Sequence, residues 1–307
     1  MNILVFGAGA IGSLYAAKLS SRHDVTVVAR GPHAEAINRR GLRITGREEL
    51  TCRVAAVTSP STLAANTLVL LTTKVNGNGE AARTLAPLVR PDTAIMCVQN
   101  GLGGEAIVNR VLREAGVGAP PLVLRAVTQF GAIFEAPGVI DYKVVGYTLL
   151  EQSDRSAEIA AVLTECGLDG RISPSIKAEV WRKLVFNCVI NPITSIIGSE
   201  VGAIADERLD PIKRLVIDEC LAVARADGVD FRLDFLAALT EVFGPSRNVA
   251  SMRQDLLKGR PTEIDFMNGA VVDLGGRFGI DCPVNAALVA MIKALECSGH
   301  MQSQSAT

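Results

Sequence analysis

Six residues near the start of the chain, Gly7-Ala8-Gly9-Ala10-Ile11-Gly12, constrain the fold more than any other feature. They follow a short apolar run at residues 3–6. Apolar residues then recur at Ile11, Leu14, Tyr15 and Leu19, which is helical spacing, and a second apolar run comes at 25–29. A strand, a glycine turn, a helix and a second strand in that order open a doubly wound parallel sheet. The three glycines have separate tasks. Gly7 lets the chain turn tightly, Gly9 lets the backbone approach a pyrophosphate, and Gly12 lets helix and strand pack closely. The first N–H groups of the helix have no partner within it and suit phosphate oxygens. The pattern therefore predicts a dinucleotide held by Gly7, Ala8, Gly9, Ala10, Ile11 and Gly12. A glycine turn with no ligand is the alternative.

The end of the second strand reads Ala29-Arg30-Gly31. An acidic residue there would grip a ribose 2′-hydroxyl. Arg30 cannot accept that hydrogen bond, but it can pair with a 2′-phosphate, so NADP (NADPH) is expected over NAD. The competing reading is a solvated arginine. Two later strands, at 68–71 and 94–98, end in Thr72-Thr73-Lys74 and Gln99-Asn100-Gly101. Doubly wound sheets bind ligands at such carboxyl ends. Lys74 suits a phosphate or carboxylate, or is solvated. Asn100 suits the nicotinamide ribose and a substrate, or is part of a turn. Segments 121–128, 138–141 and 144–149 read as further strands extending the sheet. A helix at 154–166 and a last strand at 168–172 follow.

After Pro174 the alternation stops. Helices are expected at 176–191, 205–227, 232–243, 248–258, 262–278 and 284–297, with no strand between them. The chain of 307 residues then divides into a Rossmann-type domain at 1–173 and an all-helical domain at 174–307, of which 298–307 is polar and expected to be a disordered tail. The fold class is α/β followed by all-α. With 31 basic against 32 acidic residues, no surface for nucleic acid is expected. No apolar run is long enough to span a membrane, and the first residues show no signal-type leader, so a cytoplasmic protein is expected. The seven cysteines are scattered and the only histidines are His23, His33 and His300, so no metal site is expected. No apolar stripe decides the oligomeric state, and a homodimer is left open.

The most informative stretch of the second half runs from Trp181 to Pro192. Lys183, Asn187 and Asn191 stand at i, i+4 and i+8, which places one ammonium and two amides on one helix face among apolar neighbours. Amides in that setting are costly unless they meet partners, which points to a ligand. An internal hydrogen-bond network or a solvated stripe is the alternative. Arg182, the nearest other cation, lies about 100° around the helix and should face elsewhere. Further on, Thr262 and Asp265 fit a helix cap and capping box.

These stretches together resemble the ketopantoate reductase (2-dehydropantoate 2-reductase) family. The matching segments are GAGAIG at 7–12, Arg30, TTK at 72–74, QNGLG at 99–103, WRKLVFNCVINPIT at 181–194, SMRQD at 251–255 and TEIDFMNG at 262–269. The resemblance implies a Rossmann domain plus a helical domain, and reduction of ketopantoate to pantoate with NADPH in pantothenate synthesis. It implies that Lys183 is the general acid, and that Asn100, Asn187, Asn191, Ser251 and Glu263 bind a small-molecule 2-oxo acid. It further places Glu263, Asn100 and Gly131 against the cofactor. Val201 stands where some members carry another asparagine, and Gln129 where a histidine is common. The chemistry agrees with this assignment. Hydride addition to a ketone develops negative charge on oxygen, which an adjacent ammonium stabilises and protonates. The alternatives are an NADP-dependent reductase of another 2-oxo acid, or a catalytically silent dinucleotide sensor, which would have no need of Lys183.

Overall fold

The computed structural model describes the backbone of residues 1–304 and the side chains as far as residue 298. The chain divides into two compact units. One comprises Met1–Gln99 with Gly103–Ile176, and the other Asn100–Leu102 with the chain from Lys177 onwards.

In chain order the first unit contains β1 (Asn2–Phe6), α1 (Ala10–Leu19), β2 (Asp24–Val28), α2 (Gly31–Arg40), β3 (Leu42–Gly46), β4 (Leu50–Cys52), β5 (Ala55–Val57) and β6 (Leu68–Leu71). These are followed by α3 (Asn78–Leu85), β7 (Ala94–Cys97), α4 (Gly104–Glu114), β8 (Leu122–Thr128), β9 (Gly131–Ala136), β10 (Val139–Val144), β11 (Thr148–Leu150), α5 (Ser156–Glu165) and β12 (Gly170–Ile172). Eight strands form the main sheet in the order β12-β11-β8-β7-β6-β1-β2-β5. Every neighbouring pair is parallel except β8 with β11. The order reverses between β1 and β6, so the glycine turn after β1 and the Thr72–Lys74 turn after β6 flank the switch point where such sheets bind ligands. β6 and β7 are buried along their whole length, because separate apolar clusters cover the two faces of the sheet.

The segment expected at 138–141 to extend the main sheet does not do so. β10 instead joins a second, four-stranded sheet in the order β4-β3-β10-β9. The Pro137-Gly138 turn folds β10 back onto β9, with Gly138 at φ +83°. Ile140 and Tyr142 then pack with Leu42 and Ile44 of β3 in the same core as α1. β3, β4, β5 and β9 were not anticipated.

The second unit contains α6 (Ile176–Ile196), α7 (Asp210–Ala226), α8 (Phe235–Phe243), α9 (Ser251–Leu257), α10 (Asn268–Phe278) and α11 (Pro283–Gln304), and no strand among its described residues. α11 continues through Ser298 into the stretch expected to be a tail, while 305–307 lie outside the described residues. No described helix is long and apolar enough to cross a membrane.

Two expected helix boundaries move for physical reasons. The helix expected to stop at Asn191 runs on through Pro192 to Ile196. Proline has no N–H, so the carbonyl of Cys188 one turn earlier loses its helical partner. The fully buried Asn268 supplies the replacement, its Nδ2 donating to Cys188 O at 2.9 Å. The helix expected at 262–278 is broken: a 3-10 turn at Ile264–Phe266 precedes α10. Thr262 does accept from the N–H of Ile264 at 3.2 Å, but its own N–H and hydroxyl donate to Glu296 Oε1. Asp265 pairs with Lys293 at 2.5 Å and closes no capping box.

Candidate active site

Within the first unit the glycine turn separates into two constrained positions and one open one. A methyl group on Gly7, whose φ is +111°, would stand 2.6 Å from Thr73 N. On Gly12 it would stand 2.2 Å from Gly7 O and 2.5 Å from Thr72 Oγ1. The protein itself thus demands glycine at both. Gly9 is exposed, and a methyl group there would meet nothing within 4 Å. Its missing side chain leaves space beside the backbone rather than filling a need of the fold. Ala8 is buried and donates its N–H to Val28 O, while Ala10 and Ile11 open α1 half-buried. α1 has no side-chain cap and no acidic residue in its first turn, so its positive end is not neutralised.

Arg30 is exposed at the N-terminus of α2 and makes no ion pair among the described residues. Lys74 is half-buried and precedes a 3-10 turn at Val75–Gly77. Gly131 opens β9 of the second sheet. A side chain there would come within 2.9 Å of Val144, which accounts for the glycine by packing alone.

A polar knot that the sequence reading missed sits under the carboxyl ends of β6, β7 and β8. Gln99 Nε2 donates to Leu71 O and to Asn78 Oδ1, both at 2.9 Å. Thr73 Oγ1 donates to Asn78 Oδ1 at 3.0 Å, and Asn78 Nδ2 to Gly104 O at 3.1 Å. Arg125 Nη2 donates to Gln99 O at 2.6 Å. All three central side chains, Asn78, Gln99 and Arg125, are buried. The turns that carry Lys74 and lead into Asn100 are thereby held from beneath. An arginine inside the apolar strand 122–127 was the available signal.

The second unit collects the remaining residues. α6 presents Lys183 and Asn187 half-buried and Asn191 buried. Arg182 is exposed and pairs with Glu179 at 3.1 Å. Ser251 Oγ, at the start of α9, donates to Asn191 Oδ1 at 3.3 Å, and Asn191 Nδ2 donates to Asn187 Oδ1 at 3.3 Å. This relay fixes the amide orientation of Asn187, because its oxygen is the acceptor. Asn187 Nδ2 is buried and has no hydrogen-bond partner among the described residues. A buried amide donor left open in this way is costly, and a ligand oxygen would satisfy it.

Asn100 belongs to this unit through its successors. Leu102 N–H donates to Phe266 O at 3.1 Å, and a methyl group on Gly101 (φ +83°) would stand 2.2 Å from the same oxygen. The loop bearing Asn100 is thus stitched to the turn that follows the half-buried Glu263. A second network missed from sequence supports α6 from behind. Asn268 Nδ2 donates to Asn285 Oδ1 at 2.9 Å, and Asn285 Nδ2 to Glu219 Oε2 at 2.7 Å.

Outside these groups, one cluster of three possible metal ligands occurs among the described residues: His23, Glu165 and Cys166. His23 Nε2 lies 2.9 Å from Glu165, and its Nδ1 lies 3.4 Å from the N-terminal amine.

The model of the family described as ketopantoate reductase PanE/ApbA matches residues 3–155, and that of its C-terminal domain matches 175–296. A 2-dehydropantoate 2-reductase of Pyrococcus horikoshii is 34% identical over 97% of this chain and 99% of its own length. The crystal structure of a PanE/ApbA family ketopantoate reductase from Ralstonia eutropha JMP134 superposes with a TM-score of 0.89 at 28% identity, covering 98% of this chain and all of that one. The fold is shared with D-mandelate dehydrogenase, solved with NADH and anilino(oxo)acetate, at a TM-score of 0.88 and 24% identity over 98% of this chain and 100% of that one. The chain belongs to the ketopantoate reductase family of oxidoreductases.

Proposed function

We propose that this protein is a cytoplasmic 2-dehydropantoate 2-reductase that uses NADPH to reduce ketopantoate to pantoate. In this reading residues 1–173 form the dinucleotide-binding domain and 174–307 the substrate-binding domain. The observation that carries it is the open buried donor of Asn187, oriented by Asn191 and Ser251 one helical turn from Lys183. The space beside Gly9, the uncapped start of α1 and the unpaired Arg30 fit a dinucleotide with a 2′-phosphate. When bound, that dinucleotide supplies the hydride.

The protein's own residues do the rest. Asn187 donates to an oxygen of the 2-oxo acid without adding a charge. Lys183 places an ammonium at the ketone oxygen, stabilises the charge that develops there and delivers the proton. Asn100 and Ser251 orient the acid. Glu263 accepts the hydrogen bond of the substrate's terminal hydroxyl and, with Lys74 and Gly131, borders the cofactor.

The fold shared with D-mandelate dehydrogenase does not choose the acid. A steady-state comparison of ketopantoate with 2-oxoisovalerate, which lacks the terminal hydroxymethyl group, does. We expect higher kcat/KM for ketopantoate. Equal use of both would favour a reductase of another 2-oxo acid, and turnover of neither a dinucleotide sensor.

A further inference from the structure

His33 takes no part in the chemistry above, yet it is buried where the first turns of α1 and α2 meet the second sheet. Each ring nitrogen has one partner. The N–H of Gly138, in the β9–β10 turn, donates to Nδ1 at 2.9 Å. Nδ1 is therefore the acceptor, the proton sits on Nε2, and Nε2–H donates to Ser13 Oγ at 3.2 Å. Ser13 is fully buried, and its hydroxyl donates in turn to Ala8 O, also at 3.2 Å. Ala8 is the second residue of the glycine turn. A single directed chain thus runs from Gly138 through His33 and Ser13 to the backbone that borders the opening at Gly9. Phe134 packs edge-on against the imidazole with ring centres 4.8 Å apart, which fixes the ring plane. At its other end His33 is tied to Arg30, whose carbonyl accepts the N–H of His33 at 3.0 Å.

We propose that His33 is a positioning residue for the dinucleotide: through Ser13 it holds the Ala8 carbonyl, and with it the glycine turn, in the conformation that receives the pyrophosphate. This rests on the dinucleotide-binding reading above. The imidazole has two arms, and only the Ser13 arm reaches the glycine turn. The Gly138 arm ties down the second sheet. Burial lowers the pKa of His33, which keeps it neutral with Nδ1 free to accept.

The two arms can be cut separately. In His33→Gln the terminal amide nitrogen takes the place of Nε2 and keeps the bond to Ser13. In His33→Asn the shorter amide presents its oxygen at the place of Nδ1 and keeps only the bond to Gly138. Ser13→Ala removes the link to Ala8 and leaves the Gly138 arm. NADPH and NADH are titrated into wild type and the three variants, following nicotinamide fluorescence, with thermal midpoints measured alongside. We expect His33→Gln to bind like wild type, and His33→Asn and Ser13→Ala to weaken about three- to tenfold, the loss of one hydrogen bond. The loss should be the same for both dinucleotides, since the pyrophosphate is common to them. Equal affinity in all four proteins overturns the proposal, as does a loss in His33→Gln as large as in His33→Asn, which would mean a structural role alone. Failure of wild type to bind either dinucleotide overturns the functional reading and this proposal together.

Discussion

The proline in the middle of α6 makes a quantitative test of how this helix is held. Asn268 is fully buried and its Nδ2 makes two hydrogen bonds, to Cys188 O and Asn285 Oδ1, both at 2.9 Å. Asn268→Ala removes both, at about 1 kcal/mol net each, and leaves the proline-freed carbonyl of Cys188 buried without a donor, at about 1–3 kcal/mol. The Oδ1 of Asn268 has no partner of its own, so its loss offsets part of this. The sum is about 3 kcal/mol, or roughly a 5 °C fall in midpoint for a chain of 307 residues. The informative assay is a double-mutant cycle by urea unfolding. Pro192→Ala restores an N–H at position 192 that can bond Cys188 O within the helix. In that background Asn268→Ala should cost about 1–3 kcal/mol less than in wild type, because the carbonyl is no longer orphaned. The same cost in both backgrounds would refute the reasoning that Asn268 substitutes for the proline's missing donor.

Arg30→Ala should lower kcat/KM for NADPH by about 10- to 150-fold, the equivalent of one charge-assisted hydrogen bond at about 1.5–3 kcal/mol, and leave NADH nearly unchanged; equal loss for both would remove Arg30 from the 2′-phosphate. Of the seven cysteines Cys297 alone is exposed. Burial pushes the thiol of Cys97 up to about 12 and that of Cys282 up to about 11, and raises those of Cys52, Cys166 and Cys188. Since the thiolate is the reactive form, a disulfide reagent at pH 8 should titrate one thiol quickly in the native protein and seven in denaturant; three or more fast thiols would contradict this burial.

The parts of the fold that were legible in the sequence are those with a strong local signal. The glycine turn between two apolar runs located β1, α1 and β2, and the polar residues after the strands at 68–71 and 94–98 located two further turns. The four-stranded second sheet was not legible, because its two local hairpins are joined only by the parallel pairing of β3 with β10, far apart in sequence, as in the pairing of Ile44 with Ile140. The break at 262–268 was hidden for a related reason. Thr262 reads as a helix cap, and its bonds to Glu296, 34 residues away, have no local trace. The same holds for Asn268, whose partners are Cys188 and Asn285. By contrast the Lys183–Asn187–Asn191 face follows from helical spacing alone. What the structure adds there is direction: Ser251 and Asn191 turn the Asn187 amide so that its nitrogen is the open group.

The central claim is that Lys183 delivers the proton to the ketone oxygen, and Lys183→Ala tests it most directly when NADPH titration and kcat are measured on the same protein. The phosphates belong to the first unit in this account, so NADPH affinity should barely change. Loss of the general acid should lower kcat about 100- to 10,000-fold. A near-normal kcat with intact NADPH binding would contradict the account and return Lys183 to the status of a half-buried lysine beside Trp181.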